Sequence, residues 1–178
     1  MALTDGSKDI MLMASSGKAI RFNESNVRAM GRTAAGVRGI KMKEGESLIS
    51  LIVVDEEAAI LTATELGYGK RTATTEYACK GRGGQGVISI QTSERNGAVV
   101  GAVQVSETDE FMMISDGGTL IRTSVEEVRV MGRNTQGVRL IRLSENEKLV
   151  ELERIEVLPG ENIAGEDIIS EEGEDSAE

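Results

Sequence analysis

The chain has 178 residues, with 20 Lys and Arg against 30 Asp and Glu, 39% hydrophobic residues and no His. That composition suits one globular domain, or part of a larger one, and without a run of 18 apolar residues it has no transmembrane helix. Without His, a Ser–His–Asp triad, a Cys–His nucleophile and a His-containing zinc site are excluded, so no catalytic residue, metal or cofactor is expected.

From the N-terminus, Met1-Ala2-Leu3-Thr4-Asp5 shows neither a basic leader nor an apolar stretch, so a cytoplasmic protein is expected. The single Cys79 cannot form an internal disulfide, which fits a reducing compartment, and a buried or inert thiol is expected. The apolar residues alternate with the period of strands. A first set of predicted strands falls at 10–14, 19–22, 37–42 and 48–54, a second at 59–64, 70–74, 87–91 and 98–105, and a third at 110–115, 120–123, 138–143 and 149–155. Glycine turns (Gly17, Gly67, Gly118) separate the first two strands of each set, where a tight hairpin requires positive φ. Ser124 and Glu127 have capping-box spacing, predicting a helical turn after the second strand. Met11, Met13, Met112 and Met113 read as core filler.

These sets are copies of one another. Gly31-Arg32-Thr33-Ala34-Ala35-Gly36-Val37 recurs as Gly81-Arg82-Gly83-Gly84-Gln85-Gly86-Val87 and as Gly132-Arg133-Asn134-Thr135-Gln136-Gly137-Val138, at spacings of 50 and 51 residues. Arg21, Arg71 and Arg122 keep the same spacing. Four strands in each roughly 50-residue unit predict an all-β, propeller-like array of four-stranded blades. The repeats run about 9–58, 59–108 and 109–158, so the blades occupy 1–158 and an acidic tail occupies 159–178. Propellers close with about 4–8 blades, so three predict an open arc or a fragment of a longer array. The tail reads as a disordered solubilising segment or as a phosphate mimic that competes for the basic residues.

Charge is sorted by position in the repeat. The stretches 16–45, 66–95 and 116–143 hold 17 of the 20 Lys and Arg and only seven acids. Equivalent positions of successive blades line up along one rim, so a cation repeated once per blade becomes a basic stripe that attracts duplex phosphates by counterion release. Arg32, Arg82 and Arg133 lie in glycine-flanked loops, where a guanidinium can grip a phosphate bidentately. Arg21, Arg71 and Arg122 lie on second strands, and Lys70, Lys80, Arg28, Arg129, Arg38 and Arg139 add further charge. The competing reading, applied to the second-strand arginines and to the loop arginines, is an ion pair tying one blade to its neighbour. Phe22, Phe111, Tyr68 and Tyr77 share no register, which favours duplex contact over base stacking. The string from Gly81 to Gly86 matches G-x-G-x-x-G, but a predicted strand follows it where a dinucleotide site needs a helix.

The segments 27–40 and 127–138, with Gly67-Tyr68-Gly69-Lys70-Arg71-Thr72 and Glu94-Arg95-Asn96-Gly97, closely resemble the C-terminal domain of bacterial DNA gyrase A, over residues 1 to about 158. The resemblance implies a β-pinwheel, six-bladed when whole, that bends and wraps double-stranded DNA around a basic rim during ATP-dependent negative supercoiling by this type II DNA topoisomerase. It implies the remainder of gyrase A, together with gyrase B, as partners, and strand cleavage and ATP hydrolysis in those other parts. The family's box, Gln-Arg-Arg-Gly-Gly-Lys-Gly, has no full match; Lys80-Gly81-Arg82-Gly83-Gly84-Gln85-Gly86 keeps one arginine and three glycines. The corresponding domain of topoisomerase IV is the nearest relative to confuse with it, and a protein-interaction propeller docking an acidic partner is the alternative from another class.

Overall fold

A computed structural model describes residues 1–155, which form strands and three single 3-10 turns. The first repeat contributes β1 (Asp9–Ala14), β2 (Lys18–Asn23) and β3 (Leu48–Val53). The second contributes β4 (Ala59–Thr64), β5 (Tyr68–Ala73), β6 (Val87–Ile88) and β7 (Val99–Val105). The third contributes β8 (Glu110–Ser115), β9 (Leu120–Ser124), β10 (Val138–Arg139) and β11 (Leu149–Ile155). The expected helical turn follows the second strand in every copy, at Glu24–Asn26, Thr74–Glu76 and Val125–Glu127. Ser124 makes no side-chain cap hydrogen bond, so the capping box does not form. Asn23 does cap its turn, accepting from the Ser25 amide at 3.1 Å.

The blades differ in one respect from four consecutive strands of one copy. The three sheets have the orders β3-β1-β2-β6, β10-β5-β4-β7 and β11-β8-β9. The short third strand of each repeat therefore leaves its own copy and pairs antiparallel with the second strand of the preceding one, Ala19 opposite Val87 and Gly69 opposite Val138. Residues 37–42, expected as a strand, form none, because their partner strand would belong to a preceding repeat. The third sheet has three strands for the converse reason. Residues 159–178, expected as an acidic tail, lie outside the described residues.

Exchange is enforced at Gly86 and Gly137. Both have positive φ, +72° and +79°, and a Cβ there would overlap the backbone carbonyl oxygen of Ala19 or Gly69 on the preceding repeat. Only glycine meets both conditions.

The central strands β1 and β4 are sandwiched between neighbours. Met11 and Met13 face the second blade and join Ile60, Tyr77, Ile90 and Val99 in one buried cluster. Leu61 and Ala63 face the third blade and join Phe111, Met113, Val128, Ile141 and Leu152. Met112 alone of the four methionines is half-buried, on the outer face of the last blade. The strands β3, β7 and β11 contact one another in succession. They form the inner edge of the array, and β6 and β10 form the opposite, outer edge.

Gly137→Ala should therefore destabilise the protein by about 2 kcal/mol or more, combining left-handed strain with overlap. Gly132→Ala in the same loop, where a Cβ has open space, should change stability by less than about 0.5 kcal/mol. Denaturant midpoints of the two variants check this pair.

Candidate nucleic-acid interface

The third strand is only two residues long, so its flanking loops carry most of the outer edge. The glycine loop before it and the loop after it are joined across repeats by backbone hydrogen bonds. The Lys41 amide donates to the Gly84 carbonyl at 2.8 Å, and the Gln91 amide to that of Thr135 at 2.9 Å. Side chains reinforce the second junction, Gln91 Nε2 donating to Asn134 Oδ1 at 2.7 Å and Asn96 Nδ2 to the Gln136 carbonyl at 3.2 Å. The result is a continuous belt. Its in-register stretches 28–47, 78–97 and 129–148 hold 13 Lys and Arg against five Glu. Glu44, Glu94 and Glu145 take one shared position, so the belt is basic but not uniformly so.

The candidate cations separate by depth. Arg28, Arg32, Arg38, Lys80 and Arg129 are exposed and engage no acidic side chain among the described residues. Arg139 is exposed too, and its Nη2 donates to the Tyr68 hydroxyl at 2.9 Å. Arg95 lies over the same ring, 4.9 Å from its centroid, with Arg139 at 5.3 Å. These two guanidiniums hold the Tyr68 phenol below its ordinary pKa and are held in turn at fixed positions on the belt.

Arg82 and Arg133 are half-buried and each reaches the preceding repeat in the same way. Arg82 Nε donates to the Asn26 carbonyl at 2.8 Å and Nη1 to that of Arg38 at 3.1 Å. Arg133 Nη1 donates to the Ile88 carbonyl at 3.0 Å, while its Nε lies 3.9 Å from Glu76. These loop arginines clamp adjacent repeats with one side of the guanidinium and leave the other toward solvent.

The second-strand cations lie inside. Arg21, 8% exposed, donates through Nε to Asp9 Oδ2 at 2.8 Å, pairs with Glu56 and reaches the Tyr77 carbonyl. Hydrogen bonding to Glu56 is the main reason its pKa is raised. Arg71 donates to the carbonyls of Val128 at 2.5 Å and Glu126 at 3.4 Å, with Glu107 at 3.7 Å. Both are buried at the boundary with the next repeat and reach its backbone carbonyls, while their acidic partners lie in their own repeats. They neither lie on the rim nor form the expected ion pair between blades. Arg122 pairs with Glu110 on its own hairpin and is more than a third exposed. Lys70 is fully buried, against the expectation of a rim cation. Its Nζ donates to the carbonyls of Gly132 at 2.7 Å and Arg133 at 2.6 Å and to Thr135 Oγ1 at 3.1 Å, so it holds the glycine loop of the next repeat. Burial lowers its pKa to about 8.

Sequence reasoning missed Arg95, Arg142, Lys41 and Lys43 as belt cations, all exposed. Lys41 and Arg142 share a register position with Gln91, a signal present in the repeat itself. Of the expected buried or inert thiol, burial does not hold, since Cys79 is exposed; desolvation and the neighbouring Asp9 raise its pKa. The G-x-G-x-x-G string does run into β6, with no helix after it. Among the described residues no group of His, Cys, Asp and Glu is placed to hold a metal ion, and no helix is long and apolar enough to cross a membrane.

The model of the DNA gyrase C-terminal domain, a β-propeller, matches residues 8–55, 58–106 and 109–156. The chain belongs to this family. DNA gyrase A of Pseudomonas aeruginosa is 54% identical over 99% of the chain, which spans 19% of that relative. A solved DNA gyrase A C-terminal domain superposes with a TM-score of 0.78 and 30% identity, over 85% of this chain and 52% of that one. The C-terminal domain of DNA topoisomerase IV superposes with a TM-score of 0.82 and 26% identity, over 87% and 49%. This gyrase-type domain is an all-β pinwheel, as the resemblance implied, and its blade order shows the strand exchange between repeats.

Two outcomes follow for the buried cations of this gyrase-type domain. Arg21→Met should cost about 3 kcal/mol, low for a broken buried pair because Glu56 stays mostly in solvent, and Arg122→Met less than about 1 kcal/mol; denaturant titration compares them. Lys70 has a folded pKa below its unfolded value of 10.5, so between about pH 8 and 10.5 the unfolded chain binds the extra proton. Stability should rise with pH across that window relative to Lys70→Met, and fall again as pH drops through 8. Parallel slopes for the two proteins would show that Lys70 does not titrate there.

Proposed function

We propose that this chain is a non-catalytic, duplex-holding part of DNA gyrase A. Its belt engages DNA phosphates without reading sequence, and so contributes to the bending and wrapping that accompany ATP-dependent negative supercoiling. The single observation that carries this reading is the outer belt. Successive repeats bring exposed cations to the same loops, and hydrogen bonds between those loops join them into one surface. Double-stranded DNA is the ligand, because the belt is cationic and presents no set of aromatic rings for base stacking. The remainder of gyrase A, together with gyrase B, forms the set of partners in which cleavage and ATP hydrolysis take place. A bacterial cytoplasm with access to the nucleoid is the compartment.

The depth of each cation sets its share. Arg38, Arg139 and Arg142 flank the outer strand positions with exposed side chains; with Arg28, Arg32, Lys80 and Arg129 they hold the phosphates. Arg82 and Arg133 add the free edge of their guanidiniums. Arg21, Arg71 and Lys70 act indirectly, by keeping adjacent repeats in register so that the belt is continuous.

The triple variant Arg38→Ala, Arg139→Ala, Arg142→Ala should weaken duplex binding. It should also flatten the plot of log affinity against log salt by about 0.9 for each phosphate no longer neutralised. Arg21→Met, measured where it remains folded, should leave that slope unchanged. Duplex binding measured by fluorescence anisotropy across a salt series reads both, and an unaltered slope in the triple variant would remove the belt from the mechanism.

A further inference from the structure

We propose that Arg95 and Arg139, held on the ring of Tyr68, form one joint site for a single backbone phosphate of duplex DNA at the boundary of the second and third repeats. This anchor presupposes the DNA-holding belt proposed above, and gives it one fixed point with a positioning residue of its own. Every member of the site lies between two described repeats.

The three side chains come from separate places. Tyr68 opens β5, Arg95 lies in the loop between β6 and β7, and Arg139 ends β10 of the next repeat, opposite Tyr68 in the sheet. Arg139 Nη2 donates to the Tyr68 hydroxyl, and both guanidiniums lie against the ring. Arg95 is fixed a second time, its Nη1 donating to Gln136 Oε1 at 3.3 Å while Gln136 Nε2 donates to Ser93 Oγ at 3.3 Å. Tyr68 is only 7% exposed, whereas both arginines remain exposed. A guanidinium carries five N–H donors, and these contacts use few of them, leaving the rest for a ligand.

No carboxylate completes the group. Arg21, Arg71, Arg122 and Arg133 each have one within reach; among the described residues Arg95 and Arg139 have none. Two like charges drawn to one phenol repel each other, and their field shows on that phenol, whose pKa is lowered first by the Arg139 hydrogen bond. An anion between the guanidiniums offsets the repulsion, and a phosphate offers oxygens to both forks. The arrangement occurs once. At the register positions of Tyr68, Arg95 and Arg139 the first junction has Lys18, Gly45 and Ile88, and the third repeat has Thr119 and Asn146 in place of the first two. Cations repeated along the belt suit a phosphate anywhere on it; this unrepeated trio fixes where the duplex is held most firmly.

Fluorescence anisotropy across a salt series, with the full chain and a fluorescein-labelled duplex of mixed sequence, tests the site, and circular dichroism confirms that each variant is folded. Two arginines on one phosphate give it up only when both are gone. Arg95→Ala and Arg139→Ala should each lower affinity about fivefold with little change of slope. The double variant should flatten the plot of log affinity against log salt by about 0.9. Tyr68→Phe keeps the ring and loses the hydroxyl, and should weaken binding about threefold in the parent chain. Added to the double variant it should weaken binding no further, a dependence that a purely structural tyrosine would not show. Slope losses of about 0.9 in each single variant and about 1.8 in the double would assign separate phosphates and overturn the joint site. So would a Tyr68→Phe effect that persists without the arginines. If these variants match the parent while Arg38→Ala with Arg142→Ala flattens the slope, the belt stands and the anchor falls; if none alters it, both fall.

Discussion

The structure depends on one pairing: the two-residue third strand of each repeat completes the sheet of the repeat before it. A local hairpin supplies the first two strands of every blade, and the inner strand returns from the end of the same repeat to pair with the first. The outer strand comes from about 70 residues further along, so no repeat satisfies its own backbone. This explains why the central strands β1 and β4 are buried on both faces, why the glycine before each third strand has positive φ, and why the belt is continuous. Each follows from an outer strand shared between neighbours.

The same dependence divides the basic residues by depth. A guanidinium close to the hairpin axis, such as Arg21 or Arg71, is surrounded by carbonyls and carboxylates at the boundary with the next repeat and is consumed by the junction. One on the loops flanking the outer strand has neighbours on one side only and faces solvent on the other. Lys70 shows the inner extreme, where an ammonium is buried against two carbonyls and a hydroxyl and holds the glycine loop from below. The outer belt is thus positioned by cations that lie beneath it. Rim cations and weld cations occur in one repeat because both faces of a blade need anchoring while its edge stays free.

Much of this was legible in the residues. The 50- and 51-residue spacing, the strand period, the turn glycines and the concentration of Lys and Arg in one part of each repeat all lie in the sequence, and they led to an all-β array with a basic rim. They also led to the family, through strings such as the one around Gly132 and Arg133. The sequence by itself determined the elements, their repetition and which part of each repeat is basic, since side-chain periodicity and turn chemistry are local properties. Only the tertiary structure decided which repeat each outer strand completes and which cations remain free. Backbone hydrogen bonds carry no side-chain signature, and whether an arginine meets water or a carbonyl depends on the neighbouring blade, not on its own surroundings in the chain.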